Sequence, residues 1–226
     1  MSSAPPIAVV RHPRARCARL SIDPATGVVK LTLPPRAPLA PALRWAEEKR
    51  GWIAAEHAKL PQPQPFIDGG SVPFRGAPLT IAWDAKAPRR VVFAGDHLVS
   101  GGPIEGLSGR ITRWLRAQAL ALLSAETAEF ADRAGVTVAR VSIGDPRGRW
   151  GSCSSSGAIR YSWRLILAPD YVRRATVAHE VAHRVHMHHG PAFHAQVAAL
   201  VGADADRSRA WLKRHGAALH WVGRSL

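Results

Sequence analysis

The chain has 226 residues, 46% of them hydrophobic and 21% charged, which is typical of a folded globular protein and excludes a disordered or fibrous one. The formal net charge of +15 favours an anionic partner, a nucleotide or a nucleic acid, and an arginine-rich composition alone explains it equally well. No apolar run is long enough for a membrane span or a signal peptide, and Cys17 and Cys153 are too few for a disulfide framework, so we expect a cytoplasmic protein without membrane contact.

The first half of the chain is predicted to consist mainly of short strands. Apolar or alternating runs predict these strands at residues 7–10, 18–22, 28–33, 72–74, 79–83, 90–93 and 97–99. Residues 42–60 have the apolar spacing of one helix, and the alternating Pro and Gln of residues 61–65 predict a stiff connector after it. Glycines within residues 101–109 indicate a hinge between two halves.

The second half is predicted to be helix, then strands, then helices. Residues 110–134 form the longest helical pattern, with Ser108 as its N-cap and Gly135 as its C-terminal stop. A strand at 136–143 and a hairpin of 149–153 with 158–163 follow, and then come helices over 169 to about 186, 191–201 and 206–217. We therefore expect an α+β fold, with a β-rich region containing one helix at residues 1–103 and a second domain at residues 104–226.

The sequence HEVAH at residues 179–183 is the strongest chemical signal in the chain. Residues four apart lie on one face of a helix, so His179 and His183 can bind one metal ion together. Glu180 lies one residue further along, where its carboxylate reaches a metal-bound water without being a ligand. This pattern predicts a metal-dependent hydrolase.

A zinc site of this kind needs a third protein ligand. No Glu follows Glu180, so the candidates are His186, His188, His189, His194, Asp204 and Asp206. On a straight helix His186 would lie about 10 Å along the axis from His179, too far to converge with it. His189 is better placed, because the Gly190-Pro191 pair after it predicts that the chain turns back there.

Several motifs together resemble one known family. They are RWGSCS at residues 149–154, GAI at 157–159, WRLILAP at 163–169, HEVAH at 179–183 and HGPAF at 189–193. This combination resembles the YgjP-like family, also called DUF45, whose members are described as SprT-like or M48-like zinc metallopeptidases. The family commonly has Asn-His where this chain has His188-His189.

The resemblance implies a zincin-like metallohydrolase domain at residues 104–226, with an active-site helix and a small sheet. It implies Zn²⁺ as the cofactor and His179, His183 and His189 as the metal ligands. It also implies that Glu180 is the catalytic general base for a zinc-activated water, and that the substrate is a peptide or protein.

The hairpin that contains WGSC lies just before the metal helix in the chain. An extended peptide can add to such a hairpin as an extra strand, and the candidate substrate-binding residues are Arg149, Trp150, Gly151, Ser152 and Tyr161. The opposing interpretation is that Trp150 and Trp163 are core residues and that the glycine and serines only turn the chain.

Two further functions remain open at this point. A metal-dependent nucleoside triphosphate pyrophosphohydrolase would use the same metal and hold the phosphates with arginines, although the chain has no P-loop and no acidic cluster suited to Mg²⁺. A nucleic-acid-binding protein with a structural zinc would close the metal with four ligands and bind with a steep salt dependence.

Overall fold

In this computed structural model, residues 6–225 are described and form a mixed α+β fold, as the sequence predicts. The chain divides into two compact units, Met1–Gln62 and Pro63–Leu226. Their boundary falls inside the proline and glutamine segment at residues 61–65 that predicts a connector. The division at residues 103 and 104 into a β-rich region and a catalytic domain stays a prediction. None of the described helices is both long and apolar enough to cross a membrane.

The first unit contains one small sheet and two helices. Its elements are β1 Ile7–Arg11, β2 Arg19–Ile22, β3 Val29–Leu33, α1 Leu39–Glu48 and α2 Arg50–His57. The strand order is β1-β3-β2, with β1 parallel and β2 antiparallel to β3, and the core is Leu31, Leu33 and Ala46. The single helix predicted for residues 42–60 is interrupted at Lys49, whose ψ of 10° leaves the helical region just before the weak helix former Gly51.

The second unit begins with a four-stranded sheet of order β4-β5-β7-β6. Its strands are β4 Ser71–Phe74, β5 Ala77–Trp83, β6 Val92–Ala94 and β7 His97–Ser100. A short 3₁₀ helix, Ile104–Gly106, then leads into the long helix α3, Leu107–Ala134. The glycine segment predicted as a hinge is therefore mostly the start of a helix.

Helix α3 is the central element of the second unit. Its buried face consists of side chains spaced three or four residues apart, chiefly Leu107, Ile111, Leu115, Ala119, Leu123 and Phe130. The helix ends at Gly135, whose φ of 65° is the left-handed conformation that favours glycine, and this confirms the predicted stop.

A second small sheet and three helices complete the fold. The elements are β8 Arg140–Gly144, β9 Gly151–Cys153, β10 Ala158–Ser162, a 3₁₀ helix Trp163–Leu167, α4 Asp170–Ala182, α5 Pro191–Val201 and α6 Asp204–Leu219. The strand order is β8-β10-β9, so β9 is an edge strand, and its antiparallel pairing with β10 confirms the predicted hairpin.

A buried ion pair joins α4 to α3. The Arg173 side chain is 1% exposed, and its Nη2 and Nε donate hydrogen bonds to the Glu126 carboxylate at 2.8 and 3.0 Å. Arg173 also pairs with Asp170 in the first turn of α4. The bonds from Arg75 and Arg173 lower the pKa of Asp170 to about 2. These contacts fix the position of α4, the helix that carries the HEVAH motif.

Candidate metal centre

Helix α4 ends earlier than the sequence predicts, and this shapes the site. The helix stops at Ala182, and His183 is its C-cap. The chain then turns, with the Arg184 and His186 N–H groups donating to the carbonyls of Val181 and Ala182 at 2.8 and 2.9 Å. His186 therefore does not continue the helical face of His179 and His183, and the chain is free to reverse.

The reversal brings three imidazoles together. The candidate ligand atoms of His179, His183 and His189 all lie within 4.8 Å of one another. The Nε2 atoms of His179 and His189 are 3.1 Å apart, close to the about 3.3 Å between two ligand atoms of a tetrahedral zinc with Zn–N bonds of 2.0–2.1 Å. This cluster can hold one metal ion.

A backbone carbonyl selects the ring nitrogen that His183 offers. Its Nδ1 lies 3.2 Å from the His186 carbonyl oxygen. A carbonyl can only accept, so Nδ1 carries the proton and Nε2 keeps its lone pair for a metal.

One buried phenylalanine, Phe193, contacts the imidazole rings of all three histidines. Phe193 is fully buried on α5, and its ring centroid is 4.8, 4.6 and 4.7 Å from those of His179, His183 and His189. Pro191 begins α5 directly after the reversal, as its fixed φ favours. Our site prediction from the sequence omits Phe193, although the HGPAF motif contains it.

Burial favours the neutral form of His179 and His183. Burial, followed by repulsion from His183 and His189, lowers the pKa of His179 to about 4. Burial also lowers the pKa of His183. Neutral imidazoles are the form that binds metal ions, so burial prepares these two side chains for a metal.

The Glu180 carboxylate lies beside the cluster, under the edge strand β9. Glu180 is 5% exposed, and burial raises its pKa to about 7, while the charge of Arg149 acts in the opposite direction. A Cβ atom added at Gly151 would lie 2.5 Å from Glu180 Oε1. Only glycine at this position lets β9 pack directly on the carboxylate.

A cavity of about 270 Å³ opens beside His179 and Glu180. Helix α6 supplies much of its wall, including Arg209 and Leu212, and Val197 comes from α5. The sequence did not predict Arg209, Leu212 or Val197 as site residues. Helix α6 reaches the site only through its packing on α4, and no local sequence pattern indicates this.

The structure brings some of the predicted substrate-binding residues to this cavity and not others. Arg149, Trp150 and Gly151 line it, whereas Ser152 and Tyr161 are not among its lining residues. Ser152 is half-buried in β9. Their roles in substrate binding stay predictions.

Two of the predicted substrate-binding residues, Trp150 and Tyr161, pack against other side chains. The Trp150 ring stacks 5.2 Å from that of His220, and its Cζ2 is 2.9 Å from where a Cβ of Gly216 would lie. Tyr161 is fully buried, and its hydroxyl lies 3.0 Å from Thr127 Oγ1.

Three converging imidazoles beside a buried carboxylate form the kind of site that metal-dependent hydrolases use. The chain belongs to the YgjP-like family: the family model of the YgjP-like metallopeptidase domain matches residues 16–215. The match confirms the resemblance inferred from the motifs. No curated protein and no solved structure matches the chain.

The adjacent pair His188 and His189 offers a matched test of the cluster. We expect His189→Ala to weaken zinc binding by at least about 100-fold, since even losing a residue that only supports a ligand costs about 10–100-fold. His188→Ala should change it less than about threefold, because His188 is exposed and outside the cluster. Competition with a chromophoric chelator measures both affinities, and equal losses in the two variants would contradict the assignment.

Proposed function

We propose that this protein is a zinc-dependent peptidase in which His179, His183 and His189 hold the metal and Glu180 is the general base. The proposal rests mainly on one observation: His179, a member of the three-histidine cluster, and Glu180 line the same cavity, together with Gly151 of the edge strand β9. The family description as a metallopeptidase domain supports a peptide or protein as the substrate.

The residues of the cluster fit a catalytic zinc better than a structural one. The group contains three ligating side chains among the described residues, and catalytic zinc sites use three protein ligands and keep one position open. Structural zinc sites are closed by four. A zinc ion held by three neutral imidazoles supplies Lewis acidity, which acidifies water and polarises a carbonyl oxygen.

Glu180 moves the proton in this proposal. Its position next to His179 on α4 turns the carboxylate into the cavity without making it a member of the cluster. The carboxylate accepts the proton of the attacking water and then passes it to the leaving amide nitrogen. The packing of Gly151 on Glu180 holds the carboxylate in place for both transfers.

The edge of β9 can align a peptide. The Ser154 N–H bonds to the Ala158 carbonyl and the Ser162 N–H to the Trp150 carbonyl, so in the antiparallel pattern Ser152 faces β10. The N–H and C=O groups of the residues on either side, Gly151 and Cys153, then point away from β10. A substrate strand that pairs with them passes directly over Glu180, with its side chains free to enter the cavity.

A second candidate reaction is hydrolysis of a phosphoanhydride in a nucleoside triphosphate. Arg149 and Arg209 both line the cavity beside Glu180, and guanidinium groups bind phosphate well. Peptide libraries and a nucleoside triphosphate panel, tested on the same zinc-loaded preparation, separate the two reactions.

Replacing the proposed base tests the reaction most simply. We expect Glu180→Gln to lower peptide turnover by about 10²–10⁴-fold, since the amide cannot accept a proton, and to leave the zinc content unchanged. Glu48→Gln on α1, an exposed position, is the matched control and should keep full activity. Full activity of Glu180→Gln on peptides would overturn the peptidase mechanism, and turnover of nucleotides alone would favour the second candidate.

Two nearby glycines test the contact between β9 and the carboxylate. Gly151→Ala forces Glu180 to move, because its new methyl group would overlap Oε1, and we expect turnover to fall by about 10²-fold with zinc still bound. Gly148→Ala is the control, because nothing lies within 4 Å of its added Cβ. Assays of turnover and zinc content on both variants measure this, and unchanged activity in Gly151→Ala would show that the contact does not position the base.

A further inference from the structure

A second, larger cavity in the unit Pro63–Leu226 is lined by four arginines. Its volume is about 670 Å³, and the arginines are Arg89, Arg90, Arg110 and Arg113. It shares no lining residue with the cavity at the metal centre. Glu105 is the one acidic residue in its lining.

These arginines differ from those arginines of the same unit that pair with acidic side chains. Among residues 6–225, none of the four forms an ion pair with an acidic side chain. Elsewhere in the unit arginines do pair with acids, as in Arg75–Asp170, Arg164–Asp145, Arg173–Glu126 and Arg174–Glu129. Four uncompensated positive charges around one cavity repel one another, and a bound anion removes that repulsion.

The glycines of residues 101–109 make room for two of these arginine side chains. A Cβ added at Gly102 would lie 2.7 Å from Cγ of Arg89, and one added at Gly106 would lie 2.7 Å from Nη1 of Arg110. Two of these glycines, Gly102 and Gly106, are therefore positions against which arginine side chains lie. This packing holds them at the start of α3.

One hydrogen-bond donor of the Arg110 guanidinium has no acceptor among the described residues. Its Nε donates to Ser100 Oγ and its Nη1 to the Pro103 carbonyl, both at 2.9 Å. Its Nη2 is buried and has no hydrogen-bond partner among the described residues. A buried charged donor without an acceptor is unfavourable, so the protein itself satisfies the Arg110 guanidinium only in part.

Aromatic rings lie beside the arginines. Trp114 lines the cavity, and its ring centroid is 6.3 Å from that of Phe93. Phe93 is 52% exposed, although it is a large apolar side chain. An exposed aromatic ring next to unpaired arginines is the combination that binds a base and its phosphates in single-stranded nucleic acids.

We infer that this cavity binds single-stranded nucleic acid, with phosphates at Arg89, Arg90, Arg110 and Arg113 and an unpaired base stacked on Phe93. A duplex keeps its bases stacked on each other and cannot use the ring in this way. The formal charge of +15 adds a long-range attraction for any polyanion. The inference is independent of the peptidase proposal, because the two cavities have no lining residue in common.

Two double variants that each remove two positive charges test the phosphate contacts. The probe is a fluorescent single strand of about 16 nucleotides, titrated with zinc-loaded full-length protein at several salt concentrations and followed by anisotropy. Arg90→Gln with Arg113→Gln should weaken binding at least about tenfold and reduce the salt slope by about 1.4, since each phosphate contact in a single strand contributes about 0.7. Arg140→Gln with Arg214→Gln, both exposed and away from the cavity, should leave the slope nearly unchanged. Peptide turnover and the thermal unfolding midpoint verify that both double variants are folded.

A third variant tests the stacking contact. Phe93→Ala should weaken binding of the single strand about tenfold without changing the salt slope, because stacking releases no counterions, and should not weaken binding of the matching duplex. Equal losses in the two double variants would show binding by net charge alone and overturn the inference. Complete competition by inorganic phosphate, together with no effect of Phe93→Ala, would identify a phosphate site and would also overturn it.

Discussion

The candidate site depends on a reversal of the chain within the six residues after His183. If α4 continued straight, no later histidine could return to His179, and the HEVAH motif would offer two ligands only. The reversal is held at several points: Arg184 donates to the carbonyls of Thr137 and Ser155 at 3.1 and 3.2 Å, and the His183 ring donates to the His186 carbonyl. Phe193 then fixes the ring positions from the buried side. The convergence of the three histidines is thus a consequence of where the helix stops.

Helix α4 also packs closely against the edge strand β9. The buried pair of Arg173 and Glu126 holds α4 against α3, and breaking such a pair would leave an uncompensated charge in the core. Gly151 allows β9 to approach Glu180 on the other side. The Glu180 carboxylate is therefore held between helix α4 and the edge strand β9. Tertiary packing brings the Glu180 carboxylate, the His179 ring and the edge strand β9 to one place.

Local sequence patterns predicted the parts of this site that depend on near neighbours in the chain. The four-residue spacing of His179 and His183, the stop at Gly135 and the turn before Pro191 each follow from backbone geometry, and the structure has all three. The early end of α4 and the contribution of α6 depend on tertiary packing, which no local pattern contains. Gly151 could be predicted only in part. The WGSC motif makes it a candidate site residue, but the need for a glycine comes from its contact with Glu180, 29 positions away in the chain.

In our proposal, the imidazoles of His179, His183 and His189 surround one zinc ion and leave one coordination position open. X-ray absorption at the zinc edge of the metal-loaded protein tests it directly. We expect a four-coordinate site with three histidine nitrogens and one oxygen, all at about 2.0–2.1 Å. A sulfur ligand at about 2.3 Å, or a shell with fewer than three imidazoles, would contradict it.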